Sequence, residues 1–126
     1  MLRKWIAGAL GLFTVGNGVF MLVAARQWYD TVPGVHDTGP FNRHFVADIG
    51  AAFLVAGLGL FARAWRVRYW PAALAGAAFL GAHGLIHVTG LIGGQSHHAS
   101  FEWISVVAPS ALALWVSLPT KGENDA

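Results

Sequence analysis

Two histidines, His83 and His87, stand four residues apart within the apolar stretch from Pro71 to Ile92. On an α-helix that spacing puts both imidazoles on one face, within about 40° of each other, so that two rings can approach one ion. His44 and Asp48 repeat the spacing in an earlier apolar stretch, and Glu102 opens a later one, a turn before Ser105 and two turns before Pro109. The chain has no cysteine, which excludes disulfides, iron–sulfur clusters and thiolate metal sites. Imidazole with carboxylate and no thiolate suits zinc, copper(II), nickel, manganese or non-haem iron. The expected ligand set is His44, Asp48, His83 and His87, with Glu102 and a loop histidine, His36, His97 or His98, as additions. Plainer roles compete with it. His83 and His87 would serve as neutral histidines bonded across helices, Asp48 would pair with Arg43 or His44, and His97-His98 would be a solvated loop pair. Haem b would need His44 and His87 facing each other, because His83 and His87 share a face and cannot clamp one macrocycle.

The elements that position these groups follow from composition. Of 126 residues, 56% are hydrophobic and only 11% charged, and mean hydropathy is +0.54, so there are too few charges to cover a soluble core or to keep the chain disordered. Apolar runs at about 5–25, 44–62, 71–92 and 101–118 each approach the roughly 20 residues a helix needs to cross hydrocarbon. The expected architecture is therefore one integral membrane domain over 1–126, an all-α four-helix transmembrane bundle in contact with the lipid bilayer. The basic start and Val23-Ala24-Ala25 resemble a cleavable signal, but the apolar run is longer than the roughly 7–15 residues of a signal core. Small residues, notably Ala73, Ala77 and Gly81, with Ala47, Ala51, Ala52 and Ala56, should let the spans pack closely. Gly57-Leu58-Gly59-Leu60-Phe61-Ala62 formally matches a dinucleotide fingerprint but has no preceding strand, so it is read as part of a span.

Arg3, Lys4, Arg63, Arg66, Arg68 and Lys121 fall on one side of such a bundle and only Arg26 and Arg43 on the other. Cytoplasmic loops carry the Lys and Arg excess, which predicts both termini inside. Scattered basic residues leave no footprint for nucleic acid. All six histidines then lie in the outer loops or the outer half of the spans, with Asp30, Asp37, Asp48 and Glu102. At about 1.5 Å per residue, Asp48 is about 6 Å inside the second span and His87 about 8 Å inside the third. A carboxylate there costs about 2.5–3.5 kcal/mol on insertion scales, an argument for a working role. His83, a turn deeper, is level with Asn17, which is expected to orient its ring. The long loop between the first two spans is a candidate lid.

Four spans, a longer outer loop after the first and Asn42-Arg43 opening the second make the chain resemble the DoxX-like small bacterial membrane proteins. The resemblance is architectural and spans the whole chain. It implies a bacterial inner-membrane protein accessory to redox or detoxification partners, and it carries over no site residue, because the His83 to His87 and His97-His98 sets lie outside that pattern. The leading expectation is a transition-metal site (Zn, Cu or Fe) for metal handling or a metal-dependent membrane reaction. The alternative is a non-catalytic accessory subunit, in a homo-oligomer or membrane complex.

Overall fold

The computed structural model describes residues 1–120; the tail, with Lys121, Glu123 and Asp125, lies outside the described residues. Helix α1 spans Leu2–Val23 and breaks at Ala24, whose φ of −137° leaves the helical region, before the short α2, Ala25–Thr31. A turn of 3₁₀ helix at Val35–Thr38 precedes α3, Arg43–Trp65, where the Asn42 side chain caps the Phe45 amide. After a second tight turn at Val67–Tyr69 comes α4, Trp70–Ile92, with Pro71 in its first turn, where a missing amide costs nothing. The last crossing is assembled from α5, Ala99–Glu102, a π-helical turn at Trp103–Val107, and α6, Ala108–Ser117. Pro109 cannot donate to the preceding turn, and the wide turn is the local response: Ala108 N–H reaches the Trp103 carbonyl, five residues back.

Four helical stretches are thus long and apolar enough to cross a membrane. Leu12, Val55, Leu58, Leu85, Ile86 and Ile104 remain exposed on the outside, the surface expected of a multi-pass membrane protein. The helices pack in a ring, α1 on α3, α3 on α4, α4 on α6 and α6 back on α1.

With lipid as apolar as the helices, close packing has to hold the ring together. Gly18 and Gly50 bring α1 and α3 to near backbone contact: a Cβ on Gly18 would lie 2.6 Å from the Leu54 nitrogen, and one on Gly50 would lie 2.7 Å from Met21 Cβ. Gly76 does the same for α4, where a Cβ would lie 2.7 Å from Ala56 Cα. Gly57 and Gly59, of the fingerprint-like string, are packing positions against Val15 and Ala72. Of the expected small-residue ladders, Ala56, Ala73 and Ala77 are buried, whereas Ala51 is exposed. The tighter α1–α3 seam is built from glycines, because the α3 face that meets α1 carries Gly50 and Gly57 a heptad apart.

Ala7, Ala56, Leu60, Ala73, Ala77, Leu80, Ala113 and Val116 form one core toward the end where α1 begins and α6 ends. There the buried Arg63 donates to the carbonyls of Val116, Val67 and Leu118, and Arg3 also reaches Leu118 O at 3.0 Å. A separate small cluster, Met21, Ala25 and Val46, holds the opposite end.

Candidate functional site

At that opposite end the bundle encloses a cavity of about 1060 Å³. Its walls include Phe13, Val46, Ile49, Phe53, Phe79 and Val106 from the long helices, and the loop Val32–Pro40 closes over part of it. The long first loop therefore does line the cavity. Tyr29 O–H donates to Gly39 O at 2.7 Å and packs edge-on against Phe41, which fastens the loop's two ends. Arg26 lies over both rings and bonds Asp30 at 2.8 Å, a hydrogen bond that raises the guanidinium pKa above its ordinary value.

Both helical histidines of α4 point inward. His87 lies seven residues, two turns, beyond the buried Leu80, and so returns to nearly the same face. His83 stacks on Phe79 (ring centroids 6.3 Å apart) and meets the edge of Phe53 (5.4 Å). The His83 and His87 rings are 4.8 Å apart at 70°. His87 Nδ1 sits 2.8 Å from Glu102 Oε2, and the two side chains are 29% and 15% exposed. The other carboxylate oxygen, Oε1, accepts from Ser96 O–H, and Ser96 Oγ accepts from the His98 amide at 3.1 Å. Each oxygen of Glu102 thus has a donor. With Glu102 ionised and His87 neutral, the proton of the pair is on Nδ1 and the lone pair is on Nε2. Among the described residues Nε2 has no hydrogen-bond partner. The imidazole is therefore fixed in orientation and tautomer on the wall of an apolar cavity, with its acceptor nitrogen unengaged.

Of the remaining residues of the expected ligand set, His97 and His98 line the cavity, whereas His36, His44 and Asp48 do not. His44 Nε2 and Asp48 Oδ2 pair with each other at 3.4 Å, 90% and 62% exposed, and neither lines the cavity. The reason is helical phase: at 3.6 residues per turn both lie about 160–200° from Val46, which faces the bundle. Of the two partners expected for Asp48, Arg43 and His44, the structure pairs it with His44. His44 thus does not face His87, so the two do not clamp one haem. His36 pairs with Asp37 at 3.4 Å in the exposed loop turn, while the other oxygen of Asp37 faces His98 Nε2 at 3.9 Å, a link between the two loops over the cavity mouth. His97 lines the cavity. Among the described residues no three His, Asp or Glu side chains converge as a cage for a metal ion. Glu102 is hydrogen-bonded to His87.

Asn17 does not orient His83. Its Oδ1 accepts from Trp28 Nε1 at 2.9 Å and its Nδ2 points at Met21 Sδ at 3.6 Å. The physical cause is the break at Ala24, which folds α2 back so that the indole reaches Asn17 first, while α1 packs against α3 and α6 and not against α4. Sequence reasoning missed the partners of three residues: Trp28 for Asn17, Ser96 for Glu102, and the Phe53 and Phe79 rings around His83. The first two depend on backbone reversals that no periodicity encodes. The third was accessible, because Phe79 precedes His83 by one helical turn.

Comparison with known proteins returns no match: no family model fits the chain, and no curated protein or solved structure is significantly similar.

Proposed function

We propose that this chain is a membrane protein that binds a small lipophilic molecule in the cavity at its histidine-bearing end, with His87 as the polar anchor. The observation that carries the reading is the Glu102-held imidazole on the wall of an otherwise largely apolar cavity of about 1060 Å³. Ligand sites are typically apolar clefts of about 300–1,000 Å³ with a few fixed polar groups, and the site matches that description. The six-to-two Lys/Arg split supports a reading in which the cavity lies on the outer side of a bacterial inner membrane, with cytoplasmic termini.

The test uses protein in lipid nanodiscs and 4-propylanisole as an apolar probe, read at the Trp28 indole N–H resonance, since Trp28 lines the cavity. The resonance should shift saturably in the wild type. Gly90 also lines the cavity, and a Cβ there meets nothing within 4 Å, so Gly90→Leu should fill the space and abolish the shift while the fold persists. Absence of a saturable shift in the wild type contradicts the reading.

A second reading is favoured by one detail. An imidazole that gives its Nδ1–H to a carboxylate is the usual arrangement of a metal-ligating histidine, and His83 stands beside it at 4.8 Å. A zinc, copper or iron ion on His87 Nε2 and His83 would complete its shell with ligands from solvent or substrate. Elemental analysis and an absorption spectrum of the purified protein decide it: metal in stoichiometric amount, lost in His87→Ala, supports it. A protein that binds neither probe nor metal is left with the accessory-subunit role in a membrane complex.

A further inference from the structure

We infer that the cavity's occupant carries a weakly acidic hydroxyl, as a lipophilic phenol does, and donates it to His87 Nε2. The inference rests on the ligand-binding reading above and narrows it to a chemical class.

The class follows from which polar functions of the wall are already satisfied. Glu102 has a donor on each oxygen, from His87 and from Ser96. Asn17 has its carbonyl committed to Trp28 and its amide directed at Met21 sulfur. His83 makes no hydrogen bond to any described residue, and its ring is packed between Phe53 and Phe79. On His87 the ring is oriented by a hydrogen bond and a lone pair is left unengaged, because Nδ1–H is held by the carboxylate at 2.8 Å. A lone pair selects a donor. An ether, ketone or ester oxygen placed there would confront it with another acceptor, which costs binding.

A hydroxyl and an ammonium are two such donors. An ammonium brings three N–H groups and a charge, and would need three acceptors on this wall. The carboxylate beside His87 already has a donor on each oxygen, from His87 and from Ser96. A single hydroxyl fits without leaving a donor unpaired. A carboxylate-held imidazole is moreover a better acceptor than a free one, and an acidic hydroxyl is a better donor than an aliphatic one, so a phenol gains most from the pairing. The hydroxyl keeps its proton and points it at Nε2, while Nδ1 keeps its own and points it at Glu102, so binding requires no proton transfer.

The experiment compares 4-propylphenol with its methyl ether, 4-propylanisole, on the full chain in lipid nanodiscs, read at the Trp28 indole and at the His87 imidazole nitrogens by ¹⁵N NMR. The phenol should bind about tenfold more tightly than the ether and shift the His87 Nε2 resonance, which the ether should leave in place. His87→Phe keeps a ring of similar size and removes the acceptor, so both probes should then bind with the ether's affinity. The Nε2 shift gives the same information in the wild type if that variant does not fold. Equal binding of phenol and ether in the wild type, or a preference that survives His87→Phe, overturns the hydroxyl assignment and leaves the ligand-binding reading standing. Tighter binding of 4-propylbenzylamine than of the phenol also overturns it. If neither the phenol nor the ether shifts Trp28, it is the ligand-binding reading itself that fails.

Discussion

Replacing Gly18 by Ala tests whether the α1–α3 seam is as tight as the structure has it. A Cβ at Gly18 would lie 2.6 Å from the Leu54 nitrogen and 2.7 Å from the Gly50 oxygen, some 0.8 Å inside the 3.4 Å at which ordinary contact begins. Both obstacles are backbone, so no side chain can swing aside and the helices must separate. Overpacking of this kind costs about 1–3 kcal/mol. Gly16 lies two residues earlier on the same helix, and a Cβ there meets nothing within 4 Å. Gly16→Ala should therefore show only the helix-propensity gain, about 0.5–1 kcal/mol of added stability. Because both variants share that gain, their difference isolates the steric term. Unfolding by titration with sodium dodecyl sulfate in mixed micelles, followed by circular dichroism, should place Gly18→Ala about 1–3 kcal/mol below Gly16→Ala. Equal midpoints for the two variants would refute the close approach of α1 and α3.

Asn17→Leu leaves the Trp28 indole N–H without its partner and should cost about 1–3 kcal/mol; the Trp28 indole resonance should move while the His83 imidazole signals stay in place, and the reverse pattern would restore the Asn17–His83 pairing. Arg63→Met removes the buried guanidinium that donates to the Val116, Val67 and Leu118 carbonyls and should destabilise the bundle by about 2–4 kcal/mol in the same micelle assay, a loss below about 0.5 kcal/mol being incompatible with the buried geometry. His44→Ala and Asp48→Asn sit on an exposed face and should each change stability by less than about 0.5 kcal/mol with no effect on the binding of either probe or metal; loss of binding in either would return them to the site. Reporter fusions after Thr120 and within the loop at Gly39 should report opposite sides of the membrane, cytoplasmic for the first, and an external signal after Thr120 would reverse the orientation.

Four crossings were legible because hydrocarbon demands about 20 apolar residues in one helix and tolerates few charges. Their ends were less so. Helix α1 starts at Leu2 and stops at Val23, since basic Arg3 and Lys4 tolerate the membrane edge while nothing apolar marks the break at Ala24. In the site, helical phase separates what was legible from what was not. His83 and His87 share the face of the buried Leu80 and Gly84, whereas His44 and Asp48 lie opposite Val46. The spacing of four is the same in both pairs, so spacing alone could not tell an inward pair from an outward one; the phase relative to glycine and alanine could. Glu102 was expected among the ligands, but its role as the group that orients His87 depends on the closure of the loop at Ser96. That is a long-range fact with no local signature.

The most direct measurement of the central claim is the tautomeric state of His87 in the intact protein, from ¹⁵N NMR of histidine-labelled chain in lipid bilayers, assigned with His87→Phe. A carboxylate-held imidazole with an open acceptor requires a protonated Nδ1 and an unprotonated Nε2, with the Nδ1–H resonance displaced when Glu102 is replaced by Leu. A proton on Nε2 with a bare Nδ1, or a His87 spectrum indifferent to Glu102→Leu, would contradict it.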